Sequence, residues 1–340
     1  MADKELQPIR NAANGVAPYQ ASQGTPDGET FLARWKEFLP LYIKGGRPSS
    51  DTMKNYISSI DQFLDWCAEQ SCHPLGIRDM QMRLYLHWLR GRSYKEDSIA
   101  AKIIAIRNFY MAARKIGVIS DNPVKDIAVY QSNEELINYF TPTQLYEIEQ
   151  AINQEENLFR RHRNTCMLYL MGVEGLRNIE VHRINQEDID WEHGIILIHG
   201  KGHDRTIFPC KDTFKHLDEY LNICPTKDDI KQENGHTPLF LSDSNLNLWG
   251  RISRNGIRYV MNHILEIAGY KKAGISCHVF RHSTGTNLYA ATKDIRLVQD
   301  VLGHQNPKTT ARYAHLQERM TKRSTAAIVP QKEPAEQEKI

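Results

Sequence analysis

From Thr30 onward, apolar residues recur at steps of three and four. Ser49, Ser50 and Asp51 offer N-caps for a helix whose stripe is Tyr56, Ile57, Ile60, Phe63, Leu64 and Cys67. A second helix is predicted near Asp79–Leu89, with Met82, Leu86 and Leu89 inward. A third is predicted near Asp97–Lys115, with Ile99, Ile103, Ile106 and Tyr110 in register. Gly117 and then Asn122-Pro123 stop it. This part of the chain reads as all-helical.

The pattern then changes. Thr141-Pro142 is an N-cap followed by proline at the first helical position, opening a helix with Leu145, Ile148 and Ile152 on one face. An apolar helix follows at Arg163–Gly172. Short strand-like runs at Ile189–Trp191, Gly194–His199 and Arg205–Pro209 form an antiparallel meander whose second turn holds Lys201 between Gly200 and Gly202. The remainder is helical, interrupted by a polar loop near residues 227–235. The expected architecture is mainly α, with a small antiparallel β-sheet in the C-terminal half (α+β). The expected boundaries are a polar N-terminal arm (1–28), a helical domain (29–120), a linker (121–140), a second domain (141–325) and a polar tail (326–340).

Length agrees with two domains, since 340 residues exceed one ordinary domain. There is no window of about 18 apolar residues, which excludes a transmembrane helix. The N-terminus has no signal-peptide apolar region, so a cytoplasmic protein is expected. The six cysteines form no CxxC pair and read as reduced thiols, not as zinc ligands or a disulfide framework. The five tryptophans read as core or interface residues. A net charge of +2 argues weakly against a nucleic-acid partner. Its distribution reverses that: Lys and Arg minus Asp and Glu gives +4 over residues 29–130, −9 over 131–250 and +9 over 251–325. Two basic blocks flank an acidic middle, and field asymmetry matters more than the sum.

Four stretches carry candidate chemistry: Gly175-Leu176-Arg177-Asn178-Ile179-Glu180, Gly200-Lys201-Gly202, His278-Val279-Phe280-Arg281-His282, and Leu302-Gly303-His304 with Tyr313 beyond it. Each alone is weak. Together, in this order and spacing, they resemble the tyrosine recombinase (phage-integrase, Xer-like) family over residues 30–325. The resemblance implies an all-α core-binding domain followed by a catalytic domain, closing on DNA as a C-shaped clamp. It matches Arg177 to the first arginine, Lys201 to the lysine of the β-hairpin turn, and His278 and Arg281 to the His-x-x-Arg pair. His304 matches the histidine of the Leu-Gly-His motif, Tyr313 the nucleophile, and Glu180 a supporting acid. Departures from the family pattern are Glu174, where a small or hydroxyl residue is usual, Phe280 for Leu, and Gly285 for Ala.

The residue types suit those roles. Transfer of a phosphoryl group to a tyrosine hydroxyl concentrates negative charge on nonbridging oxygens, and guanidinium forks match that geometry. Lys201 suits a general acid for a 5′-oxygen. His278 suits accepting the tyrosine proton or bonding the phosphate, and His304 suits donating to a nonbridging oxygen. The implied enzyme is a site-specific recombinase forming a 3′-phosphotyrosine and a Holliday junction, with no cofactor and no metal; the acidic run Glu187-Asp188-Ile189-Asp190 has no ordered ligand loop. The expected role is integration or excision of a mobile element. Xer-type resolution of DNA dimers, a type IB topoisomerase-like or telomere-resolving enzyme, and a DNA-binding accessory protein that has lost catalysis stay open.

The expected partner is double-stranded DNA with inverted core sites, which places the protein at the nucleoid and away from membranes. Arg251, Arg254 and Arg258, at steps of three and four around a helix start, are candidate DNA contacts. In the first domain the candidates are Lys54, Lys102, Arg107, Arg114 and Lys115. A homotetramer on DNA through the C-terminal segment, with Ala326, Ala327 and Ile328 buried in trans, and an accessory DNA-bending or directionality factor complete the expectation.

Overall fold

The computed structural model describes residues 26–128, 138–200, 204–304, 307 and 309–314. The expected arm (apart from its last three residues), Lys201 with its following glycine, and the segment holding Ala326 to Ile328 lie outside the described residues. The chain divides into two compact units, Met1–Glu135 and Leu136–Ile340.

The first unit contains α1 (Gly28–Tyr42), α2 (Ser50–Glu69), α3 (Asp79–Gly91) and α4 (Glu96–Ile116). Local chemistry fixes their ends. The Asp27 carboxylate accepts from the Thr30 N–H at 2.8 Å, the Ser49 hydroxyl accepts from the Thr52 N–H at 3.3 Å, and Gly117 closes α4 in the left-handed region at φ 93°. The core is aromatic. Phe31, Phe63, Tyr85, Phe109 and Tyr110 are fully buried, and Phe63 meets the Tyr85 ring edge-on with centroids 5.1 Å apart. Ile99, Ile103, Ile106 and Tyr110 face inward as their register predicted.

The second unit contains α5 (Pro142–Ile152), α6 (Leu158–Gly172), α7 (Asn178–Arg183), β1 (Ile189–Asp190), β2 (Ile195–Ile198), β3 (Arg205–Ile207), α8 (Lys211–Leu221), α9 (Arg254–Ile267), α10 (His278–Thr292) and α11 (Ile295–Leu302). Helix α6 is its centre, buried from Arg163 to Gly172 except at half-buried Tyr169, and packed on α5, α8 and α10. It begins five residues before the apolar run, because the Asn157 side chain caps it at the Arg160 N–H. Arg163 is 2% exposed; it donates to Asp243 at 2.7 Å and to the Leu241 carbonyl at 3.0 Å. Those arginine bonds, with Arg160, outweigh burial and bring the Asp243 carboxyl down to about 2.

The antiparallel sheet has the order β1-β2-β3, with Ile196 opposite Ile207 and Ile198 opposite Arg205. Its strands are shorter than predicted. Trp191 lies in the first turn, and Pro209 has no N–H to give a ladder. The turn end of the β2–β3 hairpin is pinned. His199 bonds Asp188 at 2.9 Å and Asp204 at 3.1 Å, and Arg183 donates to the Gly200 carbonyl at 3.1 Å.

The expected linker 121–140 is folded at both ends. Val124 and Ile127 join the core of the first unit, and Phe140 joins that of the second, against Phe280 and Tyr270.

Candidate active site

Arg177 is the N-cap residue of α7, and Glu180 is one turn later. The Glu180 carboxylate accepts the Arg177 backbone N–H at 2.8 Å and the Arg177 guanidinium at 2.8 Å. Glu180 is buried, its side chain 4% exposed, and it gathers further cations. Arg205 from β3 donates at 3.2 Å and Arg281 from α10 lies at 3.8 Å. Burial alone pushes the Glu180 carboxyl up. Arg205, the Arg177 N–H, and the Arg177 and Arg281 charges outweigh it, so the group sits below the usual carboxylate range.

Arg281 is itself buried. It donates to the Gly175 carbonyl at 2.5 Å and to the Leu302 carbonyl, tying the first arginine's loop to the Leu-Gly-His turn. Burial, then the Arg177 charge, lowers it to about 10, so it stays cationic at neutral pH. Gly175 makes this closeness feasible: at φ +73°, a Cβ there would lie 2.6 Å from Leu302 Cδ2.

His278, the first residue of α10, keeps one side open to solvent. Packing on the other side, with Arg281 and Arg177 nearby, holds it below the ordinary histidine range. His304 is 9% exposed and its Nδ1 meets the Thr310 hydroxyl at 2.9 Å. Burial and the Arg281, Arg177 and Arg312 charges bring it down to about 3. Tyr313 is 1% exposed and lies on a helical stretch, residues 309–314. Its ring runs parallel to that of His304, and its hydroxyl meets His282 Nδ1 at 3.2 Å. Burial pushes the hydroxyl up despite Arg281, Arg312 and Arg177.

The structure thus brings together Arg177, Glu180, His278, Arg281, His304 and Tyr313 from loops and helices more than a hundred residues apart. Lys201 lies outside the described residues; its neighbour Gly200 does not. Two members of this neighbourhood had been given no role. Arg205 occupies a strand position alternating with exposed Thr206, and a Cβ on Gly303 would stand 2.6 Å from its Nε. His282 shares a helical face with His278 and Gly285, a period of three and four that was readable in the sequence. The unusual Glu174 is explained locally: its carboxylate accepts the Cys210 N–H at 3.0 Å and the Thr213 hydroxyl at 2.7 Å, holding the start of α8.

The DNA-contact candidates divide. Arg251 is committed within the fold: its guanidinium donates to Glu233, to the His182 and Ile184 carbonyls, and to Asn185 Oδ1, with 10% of its side chain exposed. Arg107 is likewise committed, bonding the Val124 carbonyl at 3.2 Å and the Ile127 carbonyl at 2.8 Å. Lys102 lies over the Tyr94 ring at 4.7 Å, half-buried. Arg254 and Arg258 are exposed on the first turns of α9, and Lys54, Arg114 and Lys115 are exposed on α2 and α4. In the acidic run, Glu187 accepts from the Thr237 N–H, Asp188 holds the Asn185 N–H and His199, and Asp190 holds His193.

Comparison with known proteins agrees with this geometry. The phage integrase family model matches residues 138–320, more than half of the chain, and the phage integrase N-terminal SAM-like domain matches residues 35–117. The tyrosine recombinase XerC of Lactobacillus leichmannii is 29% identical over 290 residues, covering 84% of this chain and 92% of that protein. The XerH site-specific recombinase bound to palindromic difH substrate in a post-cleavage complex superposes with a TM-score of 0.69 at 21% identity, covering 81% of this chain and 79% of that one. A lambda integrase tetramer bound to a Holliday junction gives 0.61 at 16% identity, covering 86% and 78%. The two matching family models, over residues 138–320 and 35–117, lead to one assignment: the chain belongs to the phage integrase family, the tyrosine recombinases.

Proposed function

We propose that this tyrosine recombinase cleaves and rejoins DNA strands at specific sites through a 3′-phosphotyrosine and a Holliday junction. One observation carries the reading: a single buried carboxylate, Glu180, holds Arg177, Arg205 and Arg281 around the point where sequence-distant motifs converge, with Tyr313 packed on the same helix as Arg281. Such a carboxylate fixes guanidinium direction without cancelling all of the positive charge. What is left over suits a phosphodiester.

In this reading Tyr313 Oη attacks the phosphorus. The Oη–P bond forms as the P–O5′ bond breaks, the hydroxyl proton leaves to a neighbouring acceptor, and the departing 5′-oxygen takes a proton from Lys201. Arg177 and Arg281 hold the nonbridging oxygens, with His278 and His304 adding hydrogen bonds. Each preorganised donor of this kind is worth roughly 10²–10³ in rate. The bond energy stays in the protein–DNA linkage, so attack by a 5′-hydroxyl of the partner strand reverses the step. Arg254 and Arg258 on α9, and Lys54, Arg114 and Lys115 on the first unit, supply backbone contacts. The lambda integrase tetramer on a Holliday junction supports a homotetrameric assembly here.

For the biological role, the relative named XerC, matched along 92% of its own length, favours the Xer-type alternative, resolution of DNA dimers, over integration or excision of a mobile element. The test starts from fragmented genomic DNA in EDTA. SDS-resistant adducts are captured and their ends sequenced, which yields the target site. Wild type forms adducts and Tyr313→Phe forms none. Absence of adducts with wild type, or their persistence in Tyr313→Phe, refutes the reading. Two captured sites on one plasmid then separate recombination from the simple relaxation of a topoisomerase-like enzyme.

A further inference from the structure

The hydroxyl of Tyr313 has one hydrogen-bond partner among the described residues, His282 Nδ1 at 3.2 Å. Neither histidine matched to the family motif fills that place. His304 stacks on the tyrosine ring, but its Nδ1 is engaged by Thr310 at 2.9 Å. His278 sits one turn earlier on α10, its ring centroid 6.4 Å from that of His282. We propose that His282 is a positioning residue for the nucleophile: its Nδ1 accepts the Tyr313 hydroxyl hydrogen while Gly285, on the same face of α10, gives the ring its seat. The proposal rests on the reading of Tyr313 as the nucleophile.

The seat is specific. A Cβ on residue 285 would stand 2.6 Å from both Tyr313 Cε2 and Cζ, and 3.0 Å from Leu302 Cδ1. Cζ carries the reacting oxygen. Glycine at 285 therefore lets the hydroxyl end of the ring settle onto α10, within reach of a side chain one turn back. Tyr313 is 1% exposed, so water does not compete for the hydroxyl.

The partner is in the right protonation state. Burial first, then the charges of Arg312, His278 and Arg281, lowers His282 to about 4. At neutral pH the His282 imidazole is uncharged and the phenol, raised by burial, keeps its proton. In the tautomer with its hydrogen on Nε2, Nδ1 carries the lone pair, so tyrosine donates and histidine accepts. With its hydrogen directed at His282, the oxygen's lone pairs are what it presents elsewhere, and those are the electrons that attack phosphorus. Two constraints, a ring seat and a fixed hydrogen, leave Oη little freedom. Orientation of this kind is a known source of rate.

The experiment uses the full-length chain and a nicked suicide duplex carrying the captured site. Single-turnover adduct formation is measured beside noncovalent affinity for the same duplex. His282→Leu keeps bulk and loses the acceptor. Its cleavage is expected to fall about 10–100-fold with DNA affinity changed less than about 2-fold, the signature of lost orientation and not of lost binding. His282→Asn returns an acceptor near the Nδ1 position and recovers most of that loss. His282→Gln moves the acceptor to the Nε2 position and stays slow, which keeps the test open should the leucine variant fold poorly. Wild-type rates in His282→Leu or His282→Gln, or equal slowing in the Leu and Asn variants, overturn the proposal. Adducts surviving Tyr313→Phe overturn instead the nucleophile reading beneath it.

Discussion

Replacing Glu180 by glutamine tests the centre of the site. The substitution keeps shape and removes one charge. Glu180 now receives the Arg177 N–H and guanidinium at 2.8 Å each and Arg205 at 3.2 Å, with Arg281 at 3.8 Å. An amide keeps one oxygen for these donors and turns an N–H₂ group against the rest. Three guanidiniums then repel one another in a site where the carboxylate was 4% exposed. Breaking a buried pair by removing one partner costs about 3–5 kcal/mol. Against a total stability of about 5–15 kcal/mol, that is a large fraction. With a urea slope of ~2 kcal/mol/M, the midpoint falls by about 2 M. Hydrogen exchange read by peptide gives a clean assay: α10 reports the second unit, and α4 is the internal control. A loss confined to α10 and adjoining elements is expected. Adding Arg205→Gln to Glu180→Gln is expected to cost less than Arg205→Gln alone, because it removes one of the repelling charges. A midpoint shift below about 0.3 M, or equal shifts in α10 and α4, refutes the network's assigned role.

Further outcomes follow from the same geometry. Gly285→Ala crowds Tyr313, so adduct formation falls about 10-fold or more, while overpacking of about 1–3 kcal/mol is partly offset by a helix-propensity gain near 1 kcal/mol; wild-type cleavage rates would show that the ring seat is not needed. His282 and His304 fold with values of about 4 and about 3, below the unfolded value of about 6.5. Their stabilising contribution is therefore complete above pH 6.5 and is lost as pH falls toward 4, at about 1.4 kcal/mol per pH unit for each histidine. Urea midpoints of the second unit from pH 7.5 to 5 read this, and His304→Gln flattens the slope; an unchanged midpoint across that range contradicts it. Arg251→Ala lowers stability by about 2–4 kcal/mol and leaves the salt dependence of DNA binding unchanged, whereas Arg258→Ala leaves stability unchanged and reduces the salt slope by about one; gel shifts at several salt concentrations with parallel melts distinguish the two.

Most of the helical order was readable because burial writes a period into the sequence. Ile99, Ile103, Ile106 and Tyr110 face the core as their spacing required, and Thr141-Pro142 opens α5 as an N-cap and first-turn proline must. The four chemical stretches were also legible, since each is short and contiguous. What resisted was anything set by tertiary contact. Arg251 and Arg258 look alike in sequence and share a basic block, yet one is enclosed by carbonyls from the end of α7 and the other is exposed on α9. Arg107 reads as a surface cation until Val124 and Ile127 fold back over α4. His282 stood inside a quoted motif, but its role depends on where Tyr313 lands from thirty-one residues away.

His199 closes the foot of the β2–β3 hairpin between Asp188 and Asp204, two residues before Lys201. Its bond to Asp188 lifts it above the ordinary histidine range, with Asp204 adding to the lift and partial burial opposing it. The sign is opposite to that of His282 and His304. This clasp is complete below the unfolded histidine value and loosens as pH rises through the folded one. Acid therefore tightens the hairpin while it charges the buried histidines around the tyrosine, and alkali does the reverse. Between about pH 4 and the raised value of His199, the uncharged histidines beside Tyr313 and the closed clasp ahead of Lys201 coexist.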